Sequence, residues 1–150
     1  MRILIQRVDE ASVKIDQKIK SAIGIGLLIL IGIEETDSFE DSDWLVGKII
    51  GLRIFDDQNG VMNKSVMDME GEILVVSQFT LHAQTKKGNR PSYMKAAKHE
   101  IAIPLYDHFC NKLNGALNGK VKTGTFAADM KVALINNGPV TIWIDSKNKE

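Results

Sequence analysis

The chain has 150 residues, 44% hydrophobic and 25% charged, with nineteen basic side chains balancing nineteen acidic ones. That composition excludes a disordered or fibrous chain and any global attraction to a polyanion, so a nucleic-acid contact has to be local. The length suits one domain over residues 1–150, while a lone Cys110 without a metal-ligand cluster points to a reducing, cytoplasmic setting.

The opening "MRILIQRVDEASV" is too interrupted by polar residues for a signal-peptide core. "RILIQRV", "SVKID", "KIKSAI" and "IGLLILIGI" read as three or four hairpin-linked strands. The apolar run Ala22 to Ile33 falls short of the roughly 20 residues a bilayer requires and reads as a buried strand, so no membrane contact is expected. Leu45, Ile49 and Leu52, with Val46 and Ile50 beside them, then follow a helical stripe behind a Ser38-x-x-Asp41 capping box. The carboxylates Glu34, Glu35, Asp37, Glu40, Asp41 and Asp43 are read as complements to that helix's dipole rather than as metal ligands. Asn59-Gly60 marks a hairpin between Leu52–Phe55 and the residues from Val61 onward.

"GEILVVSQFTLHA", apolar on both faces through Ile73–Val76, predicts a central strand. A basic loop "QTKKGNRPS" follows, then a short helix beginning at Pro91 or Ser92. A second helix is expected with Pro104 in its first turn and Leu105, Phe109, Cys110 and Leu113 on its inner side. The tail returns to strands, Met130, Val132 and Leu134 alternating with Lys131, Ala133 and Ile135. Gly138-Pro139 reads as a turn into a final edge strand, with a trans bond by the ordinary preference of X-Pro peptides.

Side-chain chemistry is sparse. Thr80 and His82, two apart on an expected strand, would share a face as a nucleophile and its base, but no carboxylate is there to orient the histidine. His99 and His108 read as surface residues, and Cys110 as core. No nucleophile elbow, phosphate-binding loop, dinucleotide fingerprint or zinc motif occurs. Two polar segments remain. In "SQFTL" polar groups close a buried strand and need partners or a site to face. In "NNGPV" glycine permits close approach to the backbone while proline fixes its path.

"MRILIQRV", "LRIFDDQNGVMNKS", "SQFTL", "GNRPSY", "TGTFAADM" and "NNGPVT", in that order along nearly the whole chain, resemble the D-aminoacyl-tRNA deacylases of the D-tyrosyl-tRNA deacylase type. The resemblance implies an α/β (α+β type) fold, an antiparallel β-barrel-like sheet with a few packed helices, in a homodimer with active sites at the subunit interface. It implies hydrolysis of the ester joining a D-amino acid to tRNA, with some members also removing glycine from mischarged tRNA, and it implies no cofactor and no metal. By the same resemblance, backbone amides around Ser77, Phe79 and Thr80, with Gln78 nearby, meet the ester carbonyl. Gly138 and Pro139, joined by a cis bond and flanked by Asn136, enter the partner's pocket as a wall that rejects L-residues, and Met130 lies near the substrate. Lys86, Lys87 and Arg90 are the expected tRNA contacts. Two positions depart from the family: Asn137 replaces an aspartate, and Ala127 replaces a glycine. The rival readings are a non-catalytic RNA-binding module and a hydrolase of small D-amino-acid esters.

Overall fold

The computed structural model describes residues 1–150. Strand β1 (Arg2–Ile15) is the spine of the sheet. Along one edge its first half pairs antiparallel with β3 (Gly26–Gly32) and its second half with β2 (Lys18–Ile23); its other edge pairs with β8 (Lys131–Asp145). From β3 the sheet continues to β6 (Glu72–Ser77) and β7 (Val121–Thr123). β7 curls back toward β2, where the Ser21 hydroxyl donates to the Thr123 carbonyl and Lys122 Nζ to the Ala22 carbonyl, both at 2.6 Å. The result is a nearly closed barrel.

The barrel-like sheet matches the expectation, but it is mixed: β3–β6 and β6–β7 are parallel. Parallel neighbours need long crossovers, and these carry the helices. α1 (Phe39–Gly51) and the small hairpin β4 (Phe55–Asp56)–β5 (Met62–Lys64) separate β3 from β6, and α2 (His99–Ala116) separates β6 from β7. Gly26 lets β3 and β6 meet, because a Cβ there would lie 1.8 Å from the Glu72 carbonyl oxygen.

Two cores result. Ile3, Ile5, Ile29, Ile73 and Val75 face the helices, meeting Leu45, Ile49, Phe109 and Leu113. Val8, Ala11, Val13, Leu28, Leu74 and Val76 fill the barrel interior. β6 feeds both cores with alternate side chains, hence its unbroken apolar run.

No helix spans residues 91–98. The segment is held instead as extended bridges, Gln84 to Ser92 and Glu34 to Ala96. α2 begins at His99 and carries Pro104 inside it, beyond the expected first turn. Proline is accommodated because the carbonyl it frees, that of Glu100, and Pro104 itself both belong to exposed residues. The inner stripe of Leu105, Phe109, Cys110 and Leu113 is as expected. Burial pushes the Cys110 thiol up to about 12. No helix is long and apolar enough to cross a membrane.

The acidic entry to α1 is used structurally. Asp37 accepts from the Met1 amino group, Asp41 from the Ser38 N–H at 2.9 Å and Lys147 Nζ at 2.7 Å, and Asp43 lies 2.8 Å from His108 Nε2. Burial works to raise the Asp41 carboxyl, but hydrogen bonds from Lys147, Ser146 and the Ser38 backbone outweigh it and hold the group at about 2. A folded value below the ordinary 3.8 means this contribution is present above pH 3.8 and is lost as pH falls through 2. Asp41→Asn is therefore expected to lower the melting temperature at neutral pH and to flatten the acid limb of stability between pH 4 and 2, measured by thermal denaturation across pH.

Candidate active site

β6 ends at Ser77, which pairs with Ile31, and the Gln78 N–H donates to the Ile31 carbonyl at 2.7 Å. The chain then tightens into a 3-10 turn, Phe79–His82. The turn lies against Gly32, where a Cβ would come within about 3.0 Å of His82 and Leu81. The amides of Phe79 and Thr80 open the turn and have no acceptor within it.

The turn overturns the Thr80–His82 pairing. At three residues per turn, positions two apart point to different sides. His82 is fully buried, neither ring nitrogen has a hydrogen-bond partner, and the nearest carboxylate oxygen, on Glu34, is 4.0 Å away. Burial lowers the His82 pKa and keeps its imidazole neutral. Thr80 Oγ1 instead accepts from Gln78 Nε2 at 2.5 Å.

A cleft of about 720 Å³ opens between the end of β6, the start of α2 and the segment leading into β8. Ser77, Gln78 and Phe79 line it, as do Met130, Phe126 and His99. Met130 sits over Gly124, where a Cβ would meet its sulfur at 2.4 Å. Ala127 has a left-handed backbone (φ 60°) at the position where the resembling family carries glycine. His99 is exposed, as the sequence reading expects, and it also lines the cleft and packs edge-on against Phe126 with ring centroids 5.6 Å apart.

Asn136, Gly138 and Pro139 do not line this cleft. Six steps along the chain, roughly 20 Å at 3.3 Å per residue, separate Met130 from Asn136. Gly138-Pro139 does not begin a strand either; it interrupts β8. Gln6 pairs with Thr141 and Val8 with Asn136, leaving Asn137–Val140 as an excursion opposite Arg7 alone. The Gly138–Pro139 bond is cis, and Gly138 has φ 135°. A Cβ at Gly138 would meet Val140 Cγ2 at 2.7 Å and Arg7 Nη2 at 3.1 Å.

Side chains fix this excursion from both ends. Asn136 Oδ1 accepts the Val140 N–H at 2.8 Å, while its Nδ2 donates to Thr141 Oγ1 at 3.0 Å. Arg7 Nε donates to the Asn137 carbonyl at 2.9 Å and Nη1 to the Ile54 carbonyl at 2.7 Å, with Asp56 Oδ1 3.4 Å from Nη1. Asn137 Nδ2 donates to Asp9 Oδ1 at 2.6 Å, a bond that an aspartate at 137 would replace with two opposed carboxylates. Sequence reading missed Arg7, although an arginine continuing the inward Ile3–Ile5 alternation was the available signal.

Lys86, Lys87 and Arg90 are exposed on the loop beyond the turn and also lie outside the cleft lining. The structure thus brings together Ser77, Gln78, Phe79 and Met130, with Thr80 adjoining, and leaves the other two expected groups elsewhere on the surface.

A sequence-family model described as D-Tyr-tRNA(Tyr) deacylase matches residues 4–145. The chain is 70% identical to a D-aminoacyl-tRNA deacylase of Bacteroides fragilis and 66% identical to one of Flavobacterium psychrophilum, each aligned over the full length of both chains. Among solved structures it is similar to a c-Myc DNA unwinding element binding protein, with TM-score 0.92, 41% identity, and coverage of 97% of this chain and 98% of that one. It shares its fold with a probable eukaryotic D-amino acid tRNA deacylase at TM-score 0.82 and 20% identity, covering 95% and 97% of the two chains.

The buried guanidinium of Arg7 gives a direct test of how the excursion is held. Arg7→Ala leaves the Ile54 and Asn137 carbonyls without their donor and is expected to destabilise the fold by about 3 kcal/mol, on the scale of hydrogen bonds to charged groups. Arg7→Lys, lacking the fork, recovers only part of that in urea denaturation.

Proposed function

Because the chain belongs to the D-Tyr-tRNA(Tyr) deacylase family, we propose that its cleft receives the aminoacyl end of a D-aminoacyl-tRNA and that the protein hydrolyses the ester bond, releasing D-amino acid and tRNA. The observation that carries this reading is the free start of the 3-10 turn at Phe79 and Thr80, at the wall of a cleft where neither Ser77 nor Thr80 is hydrogen-bonded to a histidine base. Those amides and that of Ser77 receive the ester carbonyl, with Gln78 beside them. Donors placed where negative charge develops supply about 2.7–4 kcal/mol each. Water is the attacking group, aided by the 2′-hydroxyl of the terminal adenosine, and the 3′-oxygen of the tRNA leaves with the proton.

Chirality is read by Gly138 and Pro139, supplied by a second copy. Three features support a homodimer with sites at the subunit interface. The pair lies away from its own chain's cleft. β8 pairs only with β1, so its other edge is unpaired. Ile135 and Trp143, on either side of the pair on that strand, are about half exposed. The main-chain carbonyls of the excursion form a wall beside the substrate's α-carbon, from which a D side chain points away and into which an L side chain collides. Selectivity is then rejection of the wrong hand.

Lys86, Lys87 and Arg90 contact tRNA phosphates, and a tRNA substrate places the protein in the cytoplasm. A nucleophilic Thr80 is disfavoured because its hydroxyl is bound by Gln78 and His82 is sealed beneath the turn.

Incubation with D- and L-tyrosyl-tRNA and a simple D-tyrosine ester tests the reading. Release from the D-charged tRNA alone is expected. No release indicates an RNA-binding module, and equal cleavage of the simple ester indicates a small-ester hydrolase. Thr80→Ala is expected to retain most activity, whereas near-complete loss would establish a covalent role for Thr80.

The phosphate-binding role of the loop has its own measurement. Neutralising Lys86 and Lys87 to glutamine should weaken tRNA binding and reduce the slope of log affinity against log salt by about 0.7 to 0.9 for each lysine that pairs with a phosphate; an unchanged slope would show that these lysines are merely solvated.

A further inference from the structure

Beyond the wall of the cleft, the surface continues in a way the ester chemistry does not require. The Phe79 ring is 56% exposed and packs edge-on against Tyr93, with centroids 5.1 Å apart; Tyr93 is 39% exposed and lies outside the cleft lining. Next to it, Met94 is 88% exposed and Lys95 is also exposed. Such a tip would ordinarily be mobile, but both ends of this one are fastened. Ser92 exchanges two backbone hydrogen bonds with Gln84, at 2.8 and 3.0 Å. On the other side, Ala96 bridges to Glu34, and the Ala97 N–H donates to the Ile33 carbonyl at 2.9 Å. Aromatic and apolar groups are therefore held out in solvent by a fixed backbone.

The charge around them is one-sided. Between Ile73 and His99 the chain carries five basic side chains, Lys86, Lys87, Arg90, Lys95 and Lys98, and no carboxylate, although the whole molecule is neutral. The acids that approach come from elsewhere. Glu34 lies at the Ala96 bridge, Glu35 accepts the Lys98 N–H at 3.2 Å, and Glu100 and Asp129 border the cleft.

An exposed aromatic ring interleaved with cations is the physical form of a sequence-tolerant single-strand nucleic-acid site, since every base has a face to stack and every nucleotide a phosphate. The cleft, at about 720 Å³, has room for an aminoacylated terminal nucleotide. We propose that Tyr93, with the edge of Phe79 and Met94, forms a stacking platform for the unpaired nucleotides preceding that terminal adenosine, and that Lys95 and Lys98 meet their phosphates. The inference rests on the deacylase reading and deepens it. The platform anchors the tRNA's single-stranded end just outside the reacting centre, so the remote part of the substrate contributes binding that the ester alone lacks.

Two substrates separate this platform from the reacting centre: D-tyrosyl-tRNA, and D-tyrosyl-adenosine, which ends at the terminal nucleoside. Tyr93→Ala is expected to lower kcat/KM on the tRNA by about 5- to 150-fold, the factor equivalent to stacking one base on one ring. The loss should lie mainly in KM, with D-tyrosyl-adenosine unaffected. Tyr93→Phe, which keeps the ring, should restore wild-type behaviour. Lys95→Gln should reduce the salt slope of tRNA binding by about 0.7, the value for one single-strand phosphate contact. An equal loss on both substrates, no loss on the tRNA, or an unchanged salt slope overturns the platform. Should Tyr93→Ala fail to fold, Tyr93→Leu, which keeps apolar cover without a π face, decides the same comparison. A wild-type protein that cleaves neither substrate would instead overturn the deacylase reading itself.

Discussion

One buried cation holds the longest strand of this protein out of register. Arg7 occupies an inward position of β1, in line with Ile3 and Ile5, where an apolar residue would complete the core. Burying a guanidinium costs several kcal/mol unless its donors are used. Here they reach the Asn137 and Ile54 carbonyls and the Asp56 carboxylate. Satisfying Arg7 thus obliges β8 to swing four residues away from β1 and ties that excursion to the β4–β5 hairpin. Asn136 closes the gap from the strand side and Asp9 steadies Asn137. Gly138 and Pro139 therefore belong to a braced segment, and on the proposed reading that rigidity is what lets a wall distinguish hands.

The cleft on the same chain has the complementary character. Its lining sets main-chain amides and Gln78 beside the side chains of Ser77, Lys98, His99, Glu100 and Asp129, while three other reactive residues nearby are disabled. Cys110 is in the core with its thiol held protonated, His82 is sealed and neutral, and Thr80 is occupied by Gln78. On the proposed reading these are not deficiencies. Hydrolysis of an activated ester asks chiefly for stabilised charge on the carbonyl oxygen and a positioned water, and fixed amides provide the first without reorganising. The substrate's own hydroxyl supplies the second.

Overall neutrality conceals a division of labour. Carboxylates near the start of α1 are spent on the helix entry and on Lys147, His108 and the Met1 amino group, whereas the segment between β6 and α2 carries cations and no carboxylate. Fixed backbone at both ends of residues 93–95 means little ordering entropy remains to be lost when a partner settles there.

Local rules were enough to place the strands of the first third, the capped helix α1, the inner stripe of α2 and the two-faced burial of β6, because alternation and helical period follow directly from which side chains must leave water. Motif order along the chain was enough to indicate the family. What sequence could not supply were facts that depend on a neighbour distant in the chain. Thr80 and His82 diverge because the turn must fit over Gly32. Residues 91–98 form a turn held between two bridges, not a helix, because Gln84 and Glu34 offer Ser92 and Ala96 backbone partners. Pro104 sits inside a helix because solvent accepts the freed carbonyl. Gly138-Pro139 interrupts a strand instead of starting one because Arg7, some 130 positions earlier, needs the Asn137 carbonyl. Each is settled by long-range hydrogen bonding or close packing, energies that no local window contains.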